Sequence, residues 1–596
     1  MRGPARTQPN HEAAKVTTEP TDEPTGQTQL RLWPGVVIVV LQWSTWLGTP
    51  FVLPEVTAAT VGMGARLLGG IAVIVWWLFF SRAPRAERWG AFGLILGSLI
   101  VIPHFLHESI ATGMKGLMYF LFAVPVLSLA FVCWAILSLR LAVKPRRVTL
   151  AATIILACGV WTLLRSDGIS TDGAAYFSWR SAQGPEDRLV RAADETESHT
   201  PVPAKPAGST ENDTGFDWPG FRGPHRDGVV RSVSIATNWS ESPPLELWRR
   251  PVGPGWSSFA VQGDLLYTQE QRGDDEVVAC YNVTSGEPVW RHRDATKFWE
   301  SSAGAGPRAT PAVSDGRVYA FGATGILNAL DGQHGTVVWS RNVAADTSAE
   351  VPHYGFSSSP LVVNDVVLVA ADGLAAYDVD TGTLRWTSLP GGKSYSSPHR
   401  ATIDGIEQIL LSTGAGMSSV SPIDGAVLWE HLWPGFGIVQ PALTTDRDIL
   451  IGTDDATRRI AVSHRAGEWT TEERWTSIRL KPYFNDMVVH DGHAYGFDGR
   501  TLASLRIEDG ERMWKGGRYG TGQLLLLAQQ ELLLVVSERG ELVLVPAVPD
   551  QFTEIARFPA IEGKTWNHPV LVGDVLLVRN GEEMAAFQLP LAVGRL

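Results

Sequence analysis

Asp378-Val379-Asp380-Thr381-Gly382-Thr383-Leu384-Arg385-Trp386 is the stretch from which the fold is read. Asp, Thr and Gly build a tight turn in which a residue takes positive φ, and the flanking apolar residues read as two strands joined by it. The same turn followed by Gly-x-x-x-Trp recurs at Asn282 to Trp290, Asp331 to Trp339, Ile423 to Trp429 and Ile507 to Trp514. The first four copies are spaced about 40 to 50 residues apart and the fifth lies two units further on. Two more strands precede each turn, as at Ala312-Val313, the turn Ser314-Asp315-Gly316, and Val318 to Phe321. Four short strands per unit is the composition of a propeller blade.

Two units depart from the rule. The fifth carries an insertion, Gly467 to Arg474, before Trp475, and the seventh has Phe558 in place of the indole. Trp290, Trp339, Trp386, Trp429, Trp475, Trp514 and Phe558 mark seven complete blades. A three-strand remnant, His568 to Leu589, is left at the C-terminus, and Leu245-Glu246-Leu247-Trp248-Arg249 supplies its missing strand. The expected fold is therefore an all-β eight-bladed propeller over residues 216–596, its last blade closed by an N-terminal strand that leaves no long sheet edge.

The N-terminal third has a different composition. Residues 1–30 are polar and read as a disordered cytoplasmic tail. Five apolar runs follow within 31–165, about Leu32 to Leu53, Thr60 to Phe80, Ala91 to Leu106, Leu117 to Leu139 and Val148 to Leu164. Each is near the length a helix needs to cross a bilayer, which predicts a five-helix transmembrane domain. Arg82, Arg85 and Arg88 occupy one connection and Arg140, Lys144, Arg146 and Arg147 another. The alternation places the N-terminus in the cytoplasm and everything after Leu164 outside, as in a multi-pass inner-membrane protein with a periplasmic or otherwise extracytoplasmic propeller. His104 and His107 read as interfacial histidines. Residues 166–215, with Pro201, Pro203 and Pro206 among Ser, Thr, Asp and Glu, read as a flexible linker.

Composition excludes several functions. A formal net charge of −12 argues against nucleic acid as a partner. Three scattered cysteines, Cys133, Cys158 and Cys280, supply neither a disulfide framework nor a cysteine zinc site.

The turn-Gly-x-x-x-Trp blade resembles the tryptophan-docked blade of the pyrroloquinoline quinone (PQQ)-type β-propellers, a group that holds quinoprotein dehydrogenases and a non-enzymatic lipoprotein of outer-membrane protein assembly. The resemblance implies a structural docking role for Trp248, Trp290, Trp339, Trp386, Trp429, Trp475 and Trp514. The layout of membrane spans followed by a propeller is similar to membrane-bound quinoprotein glucose dehydrogenases. Asp217-Trp218-Pro219-Gly220-Phe221-Arg222-Gly223-Pro224 resembles an opening segment found in bacterial members of the superfamily.

A propeller site is expected at the channel mouth, where the loops entering the innermost strands converge. Aligned, those loops bring together hydroxyls, amides, Asp486, Arg308 and His568, with aromatic walls from Trp256, Tyr395 and Trp566 and Lys481 close by. One reading is a binding or scaffold module for a protein or peptide partner, with these polar groups satisfying loop backbone and no cofactor. The alternative is a PQQ-dependent dehydrogenase passing electrons to membrane quinone. It would use Asn485 and Asn567, with Asp486 or Glu300, around calcium, a carboxylate among these as base, and Arg308 or Lys481 against the cofactor. His490 and His493 are read as solvated turn residues.

Overall fold

The computed structural model describes residues 30–53, 55–169, 175–182, 189, 217–390, 392–433, 435 and 437–592. The expected tail at 1–29 and most of the expected linker lie outside them. The chain forms two compact units, one made of residues up to Leu106 together with Leu117–Leu163, the other of His107–Gly116 together with Leu164–Leu596.

The first unit is helical. All five apolar runs form helices, but among the described residues four, not five, are long and apolar enough to span a membrane: Thr60–Phe80, Arg85–Phe105, Met118–Arg140 and Val143–Leu163. The helix of the first run, Trp33–Val52, stands outside that set. Arg146 and Arg147 both approach the buried Glu87, at 3.5 and 3.9 Å. The two basic connections therefore lie at the same end of this unit.

The second unit is an eight-bladed propeller. Blades 1 to 6 are four-stranded antiparallel sheets beginning at Ala260, Ala312, Leu361, His399, Ala442 and Val488. Blade 7, from Gln523, has a fifth strand, Val229–Val230, running parallel to its innermost strand. Blade 8 combines Val570–Val572, Val575–Arg579 and Glu583–Gln588 with Leu245–Pro251, pairing Ala586 with Trp248. The ring is thus closed by the strand expected from sequence. Part of the expected linker is ordered too: Leu164–Ile169 pairs with Ala175–Trp179 as a hairpin.

The repeated motif works as a dock between blades. Gly382 takes φ +67°, and a Cβ there would stand 2.6 Å from the Trp339 ring, so only glycine lets the indole of blade 2 lie flat on the turn of blade 3. The Trp339 indole N–H then donates to Val379 O at 2.9 Å. Trp248, Trp290, Trp475 and Trp514 make the same bond to the next blade's turn, at 2.7 to 2.9 Å. Trp386 stacks on Gly425 without an N–H partner among the described residues. Trp429 differs. Its N–H bonds Gln408 within its own blade, because the insertion in blade 5 extends the hairpin Thr457–Arg465 to Glu468–Ser477 and removes the glycine turn that would receive it.

The segment before the closing strand enters the central channel. Trp218 bridges to Val261 on blade 1, Pro219 O accepts from Val313 N on blade 2, and Val229–Val230 runs back along blade 7. Between these points Arg222 and Arg226 adopt left-handed φ of 61° and 55°, a conformation costing an L residue about 1–2 kcal/mol. Arg222 donates to Met487 O at 2.6 Å, and Arg226 to Pro360 O and Ser359 O at 2.9 and 3.1 Å. Residues 217–230 therefore form an internal plug tied to blades on opposite sides of the ring.

Candidate functional site

The loops entering the innermost strands form two layers. The deeper layer is a ring of hydrogen bonds that passes from each blade to the next. Ser258 N donates to Thr310 Oγ1, Thr310 N to Ser359 Oγ, and Ser359 N to Ser397 Oγ, at 2.9 to 3.0 Å. Ser396 Oγ donates to Val439 O at 3.0 Å, and Gln440 N to Asp486 Oδ1 at 2.7 Å. Asn485 Nδ2 donates to Gly522 O, Gln523 Nε2 to Trp566 O, and Asn567 Nδ2 to Ser257 O, at 2.5 to 2.9 Å. Ser258 Oγ closes the circle on His568 O at 2.6 Å. The strand entries put a polar residue into this ring in every blade, and each is hydrogen-bonded to a neighbouring blade.

Asp486 and His568 belong to this ring. His568 Nε2 lies 3.2 Å from Asp486 Oδ2, and Arg222 of the plug lies 3.6 Å from Asp486 Oδ1. Burial raises the Asp486 carboxyl, but Arg222, His568 and the Gln440 N–H outweigh it and hold the group below the usual carboxylate range. Burial is also the main cause that lowers His568.

Glu300 is engaged in the same manner. Its oxygens accept from Ser302 N and Ala303 N, and Arg308 lies 3.5 Å away. Arg308 donates to the carbonyls of Gly304, Ala305, Gly306 and Tyr354, packs over Phe298 at 4.9 Å, and is drawn down to about 10 by burial. Both candidate carboxylates are therefore already paired with cations and backbone N–H groups. Asn485 Oδ1 and Asn567 Oδ1 are buried without a hydrogen-bond partner among the described residues. Lys481 sits apart from the others, 3.7 Å from Asp498, which also binds Arg512 and Lys515.

Above this ring lies an aromatic belt. Trp256 and Trp566 pack at 4.8 Å, Trp566 and Phe484 at 5.1 Å, Phe484 and Tyr483 at 5.4 Å, and Tyr354 and Tyr395 at 5.5 Å. These rings come from the loops entering blades 1, 8, 6, 3 and 4 and are partly exposed. Lys564 places its ammonium over Trp566 at 4.1 Å and Trp256 at 5.1 Å, and burial draws it down to about 8. Trp256, Tyr395 and Trp566 were expected here from sequence. Lys564, Tyr483 and the Tyr354 ring contact were not, because neither a lone lysine nor a Lys-Pro-Tyr-Phe loop carries a repeat signal.

The plug also divides the channel. Arg222, Arg226 and the innermost strands of blades 3 to 7 line a half-open cavity of about 720 Å³, where His490 lines the wall and His493 does not. His490 was expected only as a solvated turn residue.

The family model for the outer membrane protein assembly factor BamB matches residues 228–348 and 274–515. A tetrathionate hydrolase of Acidithiobacillus ferrooxidans is 28% identical over 180 residues, 28% of this chain and 35% of that protein. BamB of Yersinia pestis is 23% identical over 248 residues, 37% of this chain and 60% of that protein. The chain thus spans from about a third to three fifths of these relatives' lengths. Among solved structures, the quinohemoprotein alcohol dehydrogenase from Comamonas testosteroni superposes with a TM-score of 0.50 at 12% identity, covering 63% of this chain and 81% of that one. BamB from Moraxella catarrhalis gives 0.45 at 14% identity, covering 59% and 99%. At such identities the structural likeness concerns the fold. Blade count and docking tryptophans show a tryptophan-docked eight-bladed propeller preceded by a block of apolar helices, and the propeller is similar to the outer membrane protein assembly factor BamB over residues 228–515.

Proposed function

We propose that the protein is a membrane-anchored, extracytoplasmic propeller whose mouth holds a protein or peptide partner. The aromatic belt carries this reading. Partly exposed Trp, Tyr and Phe rings on a floor made rigid by hydrogen bonds are what the centre of a protein interface uses, since they bring large contact area with little ordering cost. The likeness to an outer membrane protein assembly factor supports the same class of function.

The placement of Glu87 between the two basic connections supports an anchor with that end in the cytoplasm of the inner membrane. The helix Val143–Leu163 starts at that end, so the chain leaves Leu163 at the other. This holds whether or not Trp33–Val52 crosses, because it depends on the last span alone.

The second reading is a PQQ-dependent dehydrogenase of sugars or alcohols. It is favoured by the unpartnered oxygens of Asn485 and Asn567, which are ligands of the hard type calcium takes. The carboxylates do not fit it. Asp486 and Glu300 would have to leave Arg222 and Arg308, and each departure would strand a buried guanidinium.

Purified full-length protein titrated with PQQ and calcium separates the two. The binding reading expects no saturable absorbance change and no dye reduction with sugars or alcohols. It also expects Tyr395→Ala and Trp566→Ala to reduce site-specific crosslinking to envelope proteins while Tm moves little. Tight PQQ uptake with dye reduction would replace it by the dehydrogenase reading.

A further inference from the structure

The cavity behind the plug is a compartment separate from the mouth, and its volume of about 720 Å³ lies within the range of small-molecule sites. Its wall is cationic, with Arg222, Arg226, Arg231 and Arg400 facing it. Arg231 is compensated by Asp227, Arg400 by Glu407, and Arg222 by Asp486. Arg226 is in ion-pair contact with no carboxylate among the described residues, and the charge of Asp486, already engaged by Arg222, is the one that acts on it. Its guanidinium donates to the carbonyls of Ser359 and Pro360 and, with the Gln440 amide turned to satisfy both partners, to the Gln440 side-chain oxygen at 3.1 Å. No carboxylate pairs with it among the described residues, and burial beside Arg222 draws it down to about 9.

Two imidazoles belong to the same wall. His399 is 5% exposed, and its Nδ1 is buried without a partner among the described residues. The Nε2 of His490 is buried in the same way. Neither nitrogen reaches the open space, so the group left to hold an anion is Arg226. A buried guanidinium whose direct partners are all neutral oxygens is a costly arrangement, and a bound anion would relieve it.

We propose that this cavity binds a small organic anion bearing phosphate or carboxylate groups, which supplies the countercharge of Arg226. Guanidinium groups suit both oxyanions, so the test has two arms. Full-length protein in detergent is titrated by calorimetry with pyrophosphate and, separately, with citrate at constant ionic strength. Saturable binding at one site per chain is expected, and the tighter arm identifies the head group.

Arg226→Gln is the direct variant, but it loosens the plug. Thr402 is exposed on the cavity wall and serves instead. Thr402→Glu adds a repelling carboxylate and should weaken binding by about tenfold or more, whereas Thr402→Gln should stay within about threefold. Absence of saturable binding of both anions at millimolar concentration, or an affinity that Thr402→Glu leaves unchanged, overturns the proposal.

Discussion

Replacing Asp486 by Asn tests whether the mouth's carboxylate holds the ring together or waits for a ligand. Asp486 and Arg222 have side chains 4% and 2% exposed, so the variant leaves a guanidinium buried without its countercharge. Removing one partner of a buried pair costs about 3–5 kcal/mol. Asn keeps an oxygen for Gln440 N, and the Arg222 contact of 3.6 Å is longer than a direct hydrogen bond, which places the expected loss at the lower end. About 3 kcal/mol in a domain of this size corresponds to a fall in Tm of roughly 5 °C. The assay is tryptophan fluorescence on heating the full-length protein in detergent. Its pH dependence has a defined sign. The Asp486 pKa is depressed in the folded state, so its contribution is complete above the unfolded value of about 4 and is lost as pH falls through the folded value. The gap between wild type and variant is therefore full at pH 7 and closes in strong acid. A variant within about 1 °C of wild type at pH 7 would refute the reasoning.

Four further outcomes follow from the dock, the closure and the anchor. Gly382→Ala should cost about 3 kcal/mol, since it combines a left-handed φ with a Cβ driven into Trp339; Gly405→Ala, with φ +77° and nothing within 4 Å, should cost only about 1 kcal/mol, both read by urea unfolding. Trp339→Ala should lose about 3–5 kcal/mol in the same assay, while Trp429→Ala leaves the blade 4 to blade 5 contact less affected because its N–H stays within blade 4. Deleting 245–251 should open blade 8, expose the edge of Glu583–Gln588 and give aggregation visible by size-exclusion chromatography; a monodisperse deletion product would contradict the closure. Reporter fusions after Leu163 should read outside and fusions near Arg85 or Arg146 inside, and an inside signal beyond Leu163 would contradict the extracytoplasmic reading.

The blades were legible because their information is local. Asp, Gly and Trp stand at fixed offsets within one turn, and that turn chemistry recurs whatever lies beyond it. Closure was legible too, since three strands at one end and a spare Trp-bearing strand at the other have a single economical pairing. The helix count was less so: length and apolar content identify a run and its helix, but not whether that helix crosses, and among the described residues four of the five qualify as spans. The insertion before Trp475 was visible, yet its effect falls on Trp429 one blade earlier, which a linear reading does not connect.

The mouth was half legible, for a geometric reason. Alignment of the strand-entry loops located the right level of every blade, but a Ser, Asn or Asp at a strand entry can point along the axis or sideways, and only the neighbouring blade decides which. Here the neighbours take them: Ser258, Thr310, Ser359, Asn485 and Asn567 each serve an adjacent blade. The plug has no periodicity; the resemblance of Asp217 to Pro224 to an opening segment marks its start but not its place in the channel, and Arg222 and Arg226 stand out only as two arginines among Gly and Pro. Those arginines connect the two compartments. Asp486 touches the ring through Gln440 and His568 and the plug through Arg222, while Arg226 reaches Gln440 from the cavity side. An anion beside Arg226 would therefore change the charge seen by the same ring on which the aromatic belt rests, so Asp486→Asn should alter both anion affinity and partner capture if the two sites are coupled.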